Sequence, residues 1–584
     1  MSQDGRLPFD VNRRKIVKSL GVAGVAGLAG CSGTGNGTDT ATSGGQDDTE
    51  TDTATDTPTE TATPADKNQV KMGGELIATF GADVKNFDPT KINDTTSGKA
   101  FGLVYESLLA TDFSGKPQPV LATSLEQKES DLMWRATLRE GVMFHGMGDF
   151  EAREVTAEDV KVSYERYEGS PREADVYDWY DSSTVVDDYT IDIKLSRKYA
   201  PLKFAIGNVP IVPREVEQGD LDLTETPIGT GPYRFVQHEP DSLFRIERND
   251  EYWFGGNDNM PEQPPIETVT FRVITEQSAQ LAALQGGDVD MINNIPAASY
   301  SDLKNNSDFK VTERVEGGFD MFIYPMGVTP FDNRKVRRGI TRLIPREAIV
   351  ESVYSGIGLP AYSPISPLAQ QFTSKEFNER MGEEYAAYDP EAATTLLEEG
   401  FSEAGVSAPF ETKIITNQNP QRVKWSQLIQ ESLNSTEFFD VGIEQFEWNT
   451  YVGKILAEDA HTNNTLIALG WSAGWDPDAY VHNLFHTKQF TPACCNVPHY
   501  SVDEVDTMID NALQTYDVEE RKSIYQDLQE RVVRDSPMAF IRFGNAMDAV
   551  DADVVKGFST YPIDGAEYAG VYAQYSDKFT WVDK

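Results

Sequence analysis

The sequence predicts a mixed α/β protein whose folded body is divided into at least two lobes. The chain has 584 residues, which is more than one compact core normally accommodates. Short runs of β-branched and aromatic residues, such as Val269–Ile274, occur together with helical stretches at Val505–Thr515 and Glu519–Arg534. The sequence contains no internal repeat, so neither a solenoid nor a propeller is expected.

The composition is strongly acidic. Lys and Arg number 51 against 94 Asp and Glu, which gives a formal net charge of −43. Such a surface repels nucleic acids and anionic lipid headgroups, so we expect no nucleic-acid partner. Because the acidic residues are spread along the whole chain, the composition predicts adaptation to high salt, where screening limits self-repulsion. The alternative is an exported protein that is simply acidic.

The first 31 residues resemble a twin-arginine (Tat) export signal that ends in a lipoprotein cleavage site. Arg13 and Arg14 lie in a basic segment, and the weakly apolar run Ser19–Gly30 follows. This run is shorter than the ~20 residues that a helix needs to cross a bilayer. The residues before Cys31 resemble a lipobox, which makes Cys31 the predicted lipidation site. We therefore expect a lipid-anchored protein at the extracellular face of the cell membrane.

Residues 32–70 have the composition of a disordered tether. They consist mainly of Thr, Asp, Gly, Ser and Pro. Such a segment cannot bury enough apolar surface to fold, so we expect it to separate the anchor from the folded body.

Two local patterns in the body predict particular backbone structures. Gly229 and Gly231 enclose one residue and precede a proline, which predicts a tight reversal with the glycines at positive φ. Thr156 is followed three residues later by Asp159, which predicts a capped helix start. Both patterns are interpreted as parts of the scaffold.

A series of segments in fixed order carries a family resemblance. The most diagnostic are Leu138–His145 and Thr156–Arg166. The others are Asn86–Pro89, Tyr105–Leu109, Gly115–Ala122, Gly229–Tyr233, Arg248–Trp253, Ala283–Asp290 and Phe331–Arg338. Together they resemble the family 5 extracellular solute-binding proteins, the peptide- and nickel-type components of ABC importers.

The resemblance implies a two-lobed, periplasmic-binding-protein-like α/β fold with a hinge and a cleft that closes over the ligand. It also implies an extra subdomain on the first lobe, and hinge strands near Gly317–Phe319 and Pro537–Ala539. The implied ranges are 71–115, 226–315 and 537–584 for the first lobe, 116–225 for the subdomain and 316–536 for the second lobe.

The implied function is capture of a small solute, a peptide or an oligosaccharide, and its delivery to the permease subunits of an ABC importer. A monomer without a cofactor is expected. The alternative is an exported hydrolase or peptidase, but the sequence contains no G-x-S-x-G or H-E-x-x-H motif, and its 6 histidines follow no triad order. An adhesion protein would normally contain repeats.

The resemblance places ligand contacts in two segments. In the first lobe they are Asn93, Asp94, Thr95 and Thr96, and in the second lobe they are Trp471, Ser472, Trp475, Asp476 and Tyr480. Small polar groups that converge with indole faces suit a small-molecule site. The sequence leaves open whether the two tryptophans line the pocket or pack in the core.

The charge of the ligand is also left open. In the peptide-binding members, a carboxylate shortly after the tryptophan pairs with the α-ammonium group of the peptide. The matching position here is Gly474, although Asp476 could substitute. The nickel branch tends to have histidine where this chain has Asp478, so nickel is not expected.

A group of histidines and cysteines lies in one short stretch of sequence. It comprises His482, His486, Cys494, Cys495 and His499. We predict no metal site, because adjacent cysteines seldom both bind one ion and the spacing matches no zinc pattern. The alternatives are a disulfide between the adjacent cysteines and a pair of unreactive thiols. With Cys31 as the third cysteine, no disulfide framework supports the fold.

Overall fold

The computed structural model describes residues 67–92, 94–128, 130–293, 295–563 and 565–584. The predicted export signal with Arg13 and Arg14, the predicted lipidation site Cys31 and most of the predicted tether lie outside these residues. The described part mixes helices with several β-sheets, as predicted. Among the described helices, none has both the length and the apolar character that a membrane span requires.

The local patterns of the sequence locate the elements well. The predicted helical stretches correspond to Asp503–Gln514 and Val518–Asp535, and the predicted strand to Thr268–Val273. The other α-helices are Thr95–Phe101, Ala157–Glu165, Ala174–Tyr177, Leu202–Gly207, Glu215–Gln218, Gln277–Gln285, Ala297–Asn305, Arg334–Arg342, Arg346–Tyr354, Lys375–Met381, Pro390–Ala404, Pro420–Asn434, Trp448–Ile455 and Asp478–Phe485.

The first lobe contains two four-stranded sheets. One has the spatial order Glu75–Phe80, Thr268–Val273, Leu243–Arg248 and Tyr233–Glu239, with only the first pair parallel. The other is antiparallel, in the order Ala122–Gln127, Met133–Leu138, Thr190–Leu195 and Tyr180–Asp187. Buried side chains of both sheets, including Phe244 and Ile193, form one continuous core. The region predicted as an extra subdomain is therefore packed onto the first lobe.

Three short antiparallel pairs complete the first lobe. They are Leu109–Thr111 with Pro117–Pro119, Tyr572–Ala573 with Lys578–Phe579, and Val555–Lys556 with Trp581–Val582.

The second lobe is built on part of a seven-stranded sheet. Its spatial order is Met291–Asn293, Met538–Asp551, Phe309–Ile323, Thr465–Trp471, Phe410–Asn417 and Phe439–Phe446, and Leu359–Pro360 also pairs with Met538–Asp551. Alternate residues enter different cores: Met321 packs on one face of the sheet and Phe322 on the other. Helices cover both faces, so this lobe is a three-layer α/β structure.

Two long strands of this sheet, Phe309–Ile323 and Met538–Asp551, connect the lobes. Their pairing shifts register between Val315 and Phe319, opposite Asn545 and Phe543, at the predicted first hinge. The prediction of the second hinge at Pro537–Ala539 was wrong, because Met538 and the residues up to Phe543 pack within the second lobe. We propose Gly544, opposite the register shift, as the second crossing point. A side chain at Gly544 would overlap the Glu316 carboxylate.

Both local scaffold patterns form, one for a different reason than expected. Asp159 accepts hydrogen bonds from the backbone N–H (2.8 Å) and hydroxyl (2.9 Å) of Thr156 at the start of Ala157–Glu165, as predicted. Gly229 and Gly231 do not have positive φ, so that prediction was wrong. A Cβ atom at Gly229 would lie 2.1 Å from the Val104 carbonyl oxygen. The glycines are needed because another backbone segment passes directly over them.

His145, the last residue of the segment Leu138–His145, fixes this reversal. Its backbone N–H donates to the Gly229 carbonyl oxygen at 2.8 Å. Its ring Nε2 donates to the Gly231 carbonyl oxygen at 2.9 Å. The side chain is buried, and burial lowers the pKa of the imidazole from 6.5 to about 4. The ring is therefore neutral in the folded protein over the physiological pH range.

His145 makes stability depend on pH in a defined direction. The contribution of the neutral ring to the free energy of unfolding is fully present above pH 6.5. It is lost as the pH falls from 6.5 towards 4, by about 3 kcal/mol in total. We expect His145→Gln, which retains an N–H donor, to lack this loss. The measurement is the difference in unfolding free energy between wild type and variant at several pH values. The difference is needed because burial raises the pKa of Asp548 to about 6, which acts in the opposite sense. A pH-independent difference would contradict the prediction.

Candidate functional site

Trp475 lies between the two lobes. It belongs to the turn that links the second-lobe strand Thr465–Trp471 to the helix Asp478–Phe485. Its Nε1 donates to the Tyr561 hydroxyl oxygen at 3.0 Å, and this hydroxyl in turn donates to the carbonyl oxygen of Thr111 at 2.9 Å. Trp475 is only 8% exposed, although its hydrogen-bond partner is in the first lobe. The indole is thus buried by contact between the lobes.

Gly115 forms the surface on which the indole lies. A Cβ atom at Gly115 would lie 2.6 Å from Cε3 of Trp475, and the residue has a φ of 80°. Asp112 holds this turn rigid by accepting hydrogen bonds from Ser114 and Lys116. The segment Gly115–Ala122, which resembles a family motif, therefore begins at a contact between the lobes.

Further contacts join the same turn to the second lobe. Gln370 Nε2 donates to the Ser114 carbonyl oxygen at 2.7 Å, and Gln371 donates to that of Gly115. A small apolar cluster covers the contact; its buried members are Phe113, Leu368, Trp475, Tyr561, Ala569 and Ala573. The lobes are closed against each other here, in the manner expected of a cleft that encloses a ligand.

The predicted first-lobe segment contacts the stretch of chain that follows Tyr561. Asn93 is outside the described residues. Asp94 caps the helix Thr95–Phe101, accepting from the backbone N–H (2.9 Å) and hydroxyl (2.8 Å) of Ser97. A Cβ atom at Gly565 would lie 3.6 Å from the Thr95 carbonyl oxygen. Gly565 follows Tyr561 in the chain, so one segment contacts both predicted halves of the site. Thr96 is buried, whereas Thr95 is partly accessible.

Two residues predicted to bind ligand have structural partners instead. Both carboxylate oxygens of Asp476 accept hydrogen bonds from the Arg521 guanidinium, at 2.6 and 2.8 Å, and both side chains are buried. Asp476 is therefore not available to replace the carboxylate that position 474 lacks, and that prediction was wrong. Tyr480 is fully buried, stacks on Phe319 and donates to the Gly474 carbonyl oxygen at 2.8 Å. It stabilises the turn, which corrects its assignment as a ligand contact.

Two other residues predicted to bind ligand, Trp471 and Ser472, are accessible to solvent. Trp471 is partly exposed, and its Nε1 donates to the Ala479 carbonyl oxygen at 2.9 Å. Ser472 is exposed. A Cβ atom at Gly474 would meet no atom within 4 Å. The turn before Trp475 therefore borders open space, with room for a side chain that the sequence does not supply.

Among the described residues, no three His, Cys, Asp or Glu side chains are grouped so that they could hold a metal ion. Cys494 and Cys495 are joined by a disulfide, the first of the two alternatives. His499 stacks between His461, with ring centroids 3.7 Å apart, and Phe490, at 4.4 Å. His486 Nδ1 accepts from the backbone N–H of Lys488 at 3.0 Å. These contacts indicate a packed loop.

A groove of about 570 Å³ lies on the second lobe alone. It is lined by Lys413, Glu444, Phe446 and Lys454 among others. Lys413 forms an ion pair with Glu444, and Lys454 lies over the Phe446 ring at 4.7 Å. The groove has no lining residue from the first lobe.

Sequence reasoning missed the basic residues near the contact. Arg314, on the strand Phe309–Ile323, lies over the Phe113 ring, with Cζ 5.5 Å from the ring centroid. Burial lowers the pKa of Lys578, and the nearby positive charge of Arg314 lowers it further. No local pattern marks either residue, because their proximity depends on segments that are far apart in sequence.

Comparisons with known proteins agree on one family. The family profile described as "Bacterial extracellular solute-binding proteins, family 5 Middle" matches residues 116–492. The chain is 27% identical over 503 residues to the glutathione-binding protein GsiB of Pectobacterium atrosepticum, covering 84% of this chain and 92% of that one. It is 25% identical over 523 residues to the oligopeptide-binding protein AppA of Bacillus subtilis, covering 84% and 90%.

Solved structures show the same fold. A periplasmic binding protein DppA from Helicobacter pylori, in complex with the peptide STSA, matches with a TM-score of 0.68 at 24% identity, covering 89% of this chain and 100% of that one. HbpA2 from Haemophilus parasuis matches with a TM-score of 0.74 at 21% identity, covering 85% and 99%.

Proposed function

Because the chain belongs to the family 5 bacterial extracellular solute-binding proteins, we propose that it captures a short peptide or peptide-like solute outside the cell and delivers it to the permease subunits of an ABC importer. The proposed site lies between the lobes, with Trp475, Tyr561 and Phe113 as its apolar wall. The helix that begins at Thr95 borders the site.

The observation that carries this proposal is the seating of Trp475 across the lobe boundary. Trp475 of one lobe contacts Tyr561 and Gly115 of the other, so separation of the lobes would remove these contacts from the indole. A ligand that binds both lobes would stabilise this closed state by its differential affinity. Closure of this kind serves capture and release, and requires no catalytic group.

The relatives support a peptide over the other solute classes. Two of them are named for binding glutathione and an oligopeptide, and one solved neighbour holds a peptide. The alternative of an exported hydrolase or peptidase is disfavoured, since the family is one of binding proteins. An oligosaccharide is the second candidate solute, favoured only by the absence of a carboxylate at Gly474.

A ligand screen by thermal unfolding tests the proposal. Ligands that bind only the folded state raise its stability by about 2.7 kcal/mol at a hundredfold excess over Kd. The panel contains short peptides, oligosaccharides and metal chelates, measured in molar salt. We expect stabilisation by peptides. Stabilisation by oligosaccharides or chelates alone would overturn the peptide assignment, and stabilisation by none would count against solute capture.

We also propose that the body is anchored by lipid at Cys31 after twin-arginine export. The support is the order of Arg13, Arg14, the apolar run and Cys31 along the sequence. We expect Cys31→Ser to abolish incorporation of labelled lipid while the protein is still exported. Replacing both arginines with lysine should retain the precursor inside the cell.

The matched control for the anchor is Cys494→Ser, which also removes one cysteine but should keep the lipid label. Normal lipid labelling of the Cys31→Ser protein would refute the anchor.

A further inference from the structure

Arg314 is a partly buried arginine without an acceptor, a property that it shares with Arg338, whereas the fully buried arginines of the described chain all have acceptors. Arg521 is paired with Asp476, and Arg337 and Arg346 donate to backbone carbonyl oxygens. Within the described residues, by contrast, the Arg314 side chain makes no hydrogen bond and has no carboxylate within ion-pair distance; its contact is with the Phe113 ring. The side chain is partly buried, so water hydrates the guanidinium charge only in part.

A second basic group increases the positive charge at this place. Lys578 is also partly buried, and in the described chain it lies within ion-pair distance of no carboxylate. Burial lowers the pKa of Arg314. Burial and the charge of Arg314 lower the pKa of Lys578, with Asp577 acting in the opposite direction. Two unpaired cations cost stability in the empty protein, although the sequence has 94 acidic residues that could have compensated them.

Arg314 faces the contact between the lobes, and Lys578 pairs with Ala573, a member of the apolar cluster at this contact. On the strand Phe309–Ile323, Arg314 shares a face with Thr312, whose hydroxyl is 2.5 Å from that of Thr560. Thr560 precedes Tyr561, and the Tyr561 ring packs on Phe113 with centroids 5.0 Å apart. Arg314 is therefore next to the apolar wall that includes Trp475.

We propose that Arg314, assisted by Lys578, binds a carboxylate group of the solute. The bound solute is thus an acid. Cations near Phe113 make the charged contact with it, and no acidic side chain at position 474 takes part. A guanidinium binds a carboxylate through two parallel hydrogen bonds, and an aromatic face beside it limits access of water. This inference rests on the proposed function, and it names the chemical class of the ligand.

The probes are three short peptides that differ in whether and where they carry a carboxylate. Trialanine has one at its C-terminus, trialanine amide has none, and Ala-Glu-Ala amide has one on a side chain. Titration calorimetry on wild type should give binding of at least one acidic probe, and binding of trialanine amide at least ~10-fold weaker. Which acidic probe binds more tightly identifies the source of the carboxylate.

The variants are Arg314→Gln and the matched control Lys310→Gln. Lys310 lies on the same strand and is exposed, so its replacement removes one positive charge without touching the contact. We expect Arg314→Gln to bind the acidic probe about 10- to 100-fold more weakly than wild type and to lose discrimination against the amide. Lys310→Gln should bind as wild type does.

A structural role for Arg314 would give a different result. Because the guanidinium is partly desolvated without a partner, Arg314→Gln should leave the melting temperature of the empty protein unchanged or higher. Equal binding of acidic and amide probes, or full affinity in Arg314→Gln, would overturn this inference while leaving peptide capture intact. If no probe binds wild type, the peptide assignment fails, and this inference fails with it.

Discussion

Replacing Gly229 with alanine is expected to destabilise the protein by about 3 kcal/mol, at the upper end of the range for overpacking. The added Cβ atom would lie 2.1 Å from the carbonyl oxygen of Val104 and 2.9 Å from Cα of Tyr105. Both atoms belong to the backbone, so the clash cannot be relieved by rotating a side chain, and overpacking of this kind normally costs 1–3 kcal/mol. Chemical unfolding in molar salt measures the loss.

The control for this result is Gly453→Ala. Gly453 lies inside the helix Trp448–Ile455, and an added Cβ atom there would meet no atom within 4 Å. We expect this substitution to stabilise the protein by about 0.5–1 kcal/mol, because alanine restricts the unfolded chain. A Gly229→Ala protein as stable as wild type would contradict the close approach of the two backbone segments.

Trp475→Ala is expected to weaken solute binding about 10- to 100-fold with little change in the stability of the empty protein. The indole is buried by residues of the other lobe, namely Tyr561 and Gly115. When the lobes separate, these contacts are lost in wild type as well. The substitution therefore acts on the closed state, and the apparent affinity falls with the population of that state. Titration calorimetry and thermal unfolding without ligand measure the two effects.

Trp425→Ala is the matched control, since Trp425 is fully buried in the core of the second lobe. We expect it to lose about 3–5 kcal/mol of stability in the empty protein. If Trp475→Ala lost a similar amount, Trp475 would act as core packing. Of the two roles that the sequence left open for this tryptophan, core packing would then be correct and pocket lining would be wrong.

The sequence by itself determined the local elements and the family. The helix Ala157–Glu165 begins where Thr156 and Asp159 predict, and the helices near residues 503 and 518 begin within two residues of the predicted positions. Caps and periodicity depend on residues within about four positions of each other, so a single sequence contains all the information that they require. The same local segments carried the family resemblance.

Only the tertiary structure decided which residues remain available to a ligand. The local sequence makes Asp476 a candidate partner for an ammonium group, but Arg521, 45 positions along the chain, donates hydrogen bonds to both of its carboxylate oxygens. Gly229 is glycine because Val104 passes over it, and its own φ does not require it. Ion pairs, strand register and close backbone approach join residues far apart in sequence, and no local pattern records them. For the same reason the unpaired charge of Arg314 is visible only once the strand Phe309–Ile323 is placed beside Phe113.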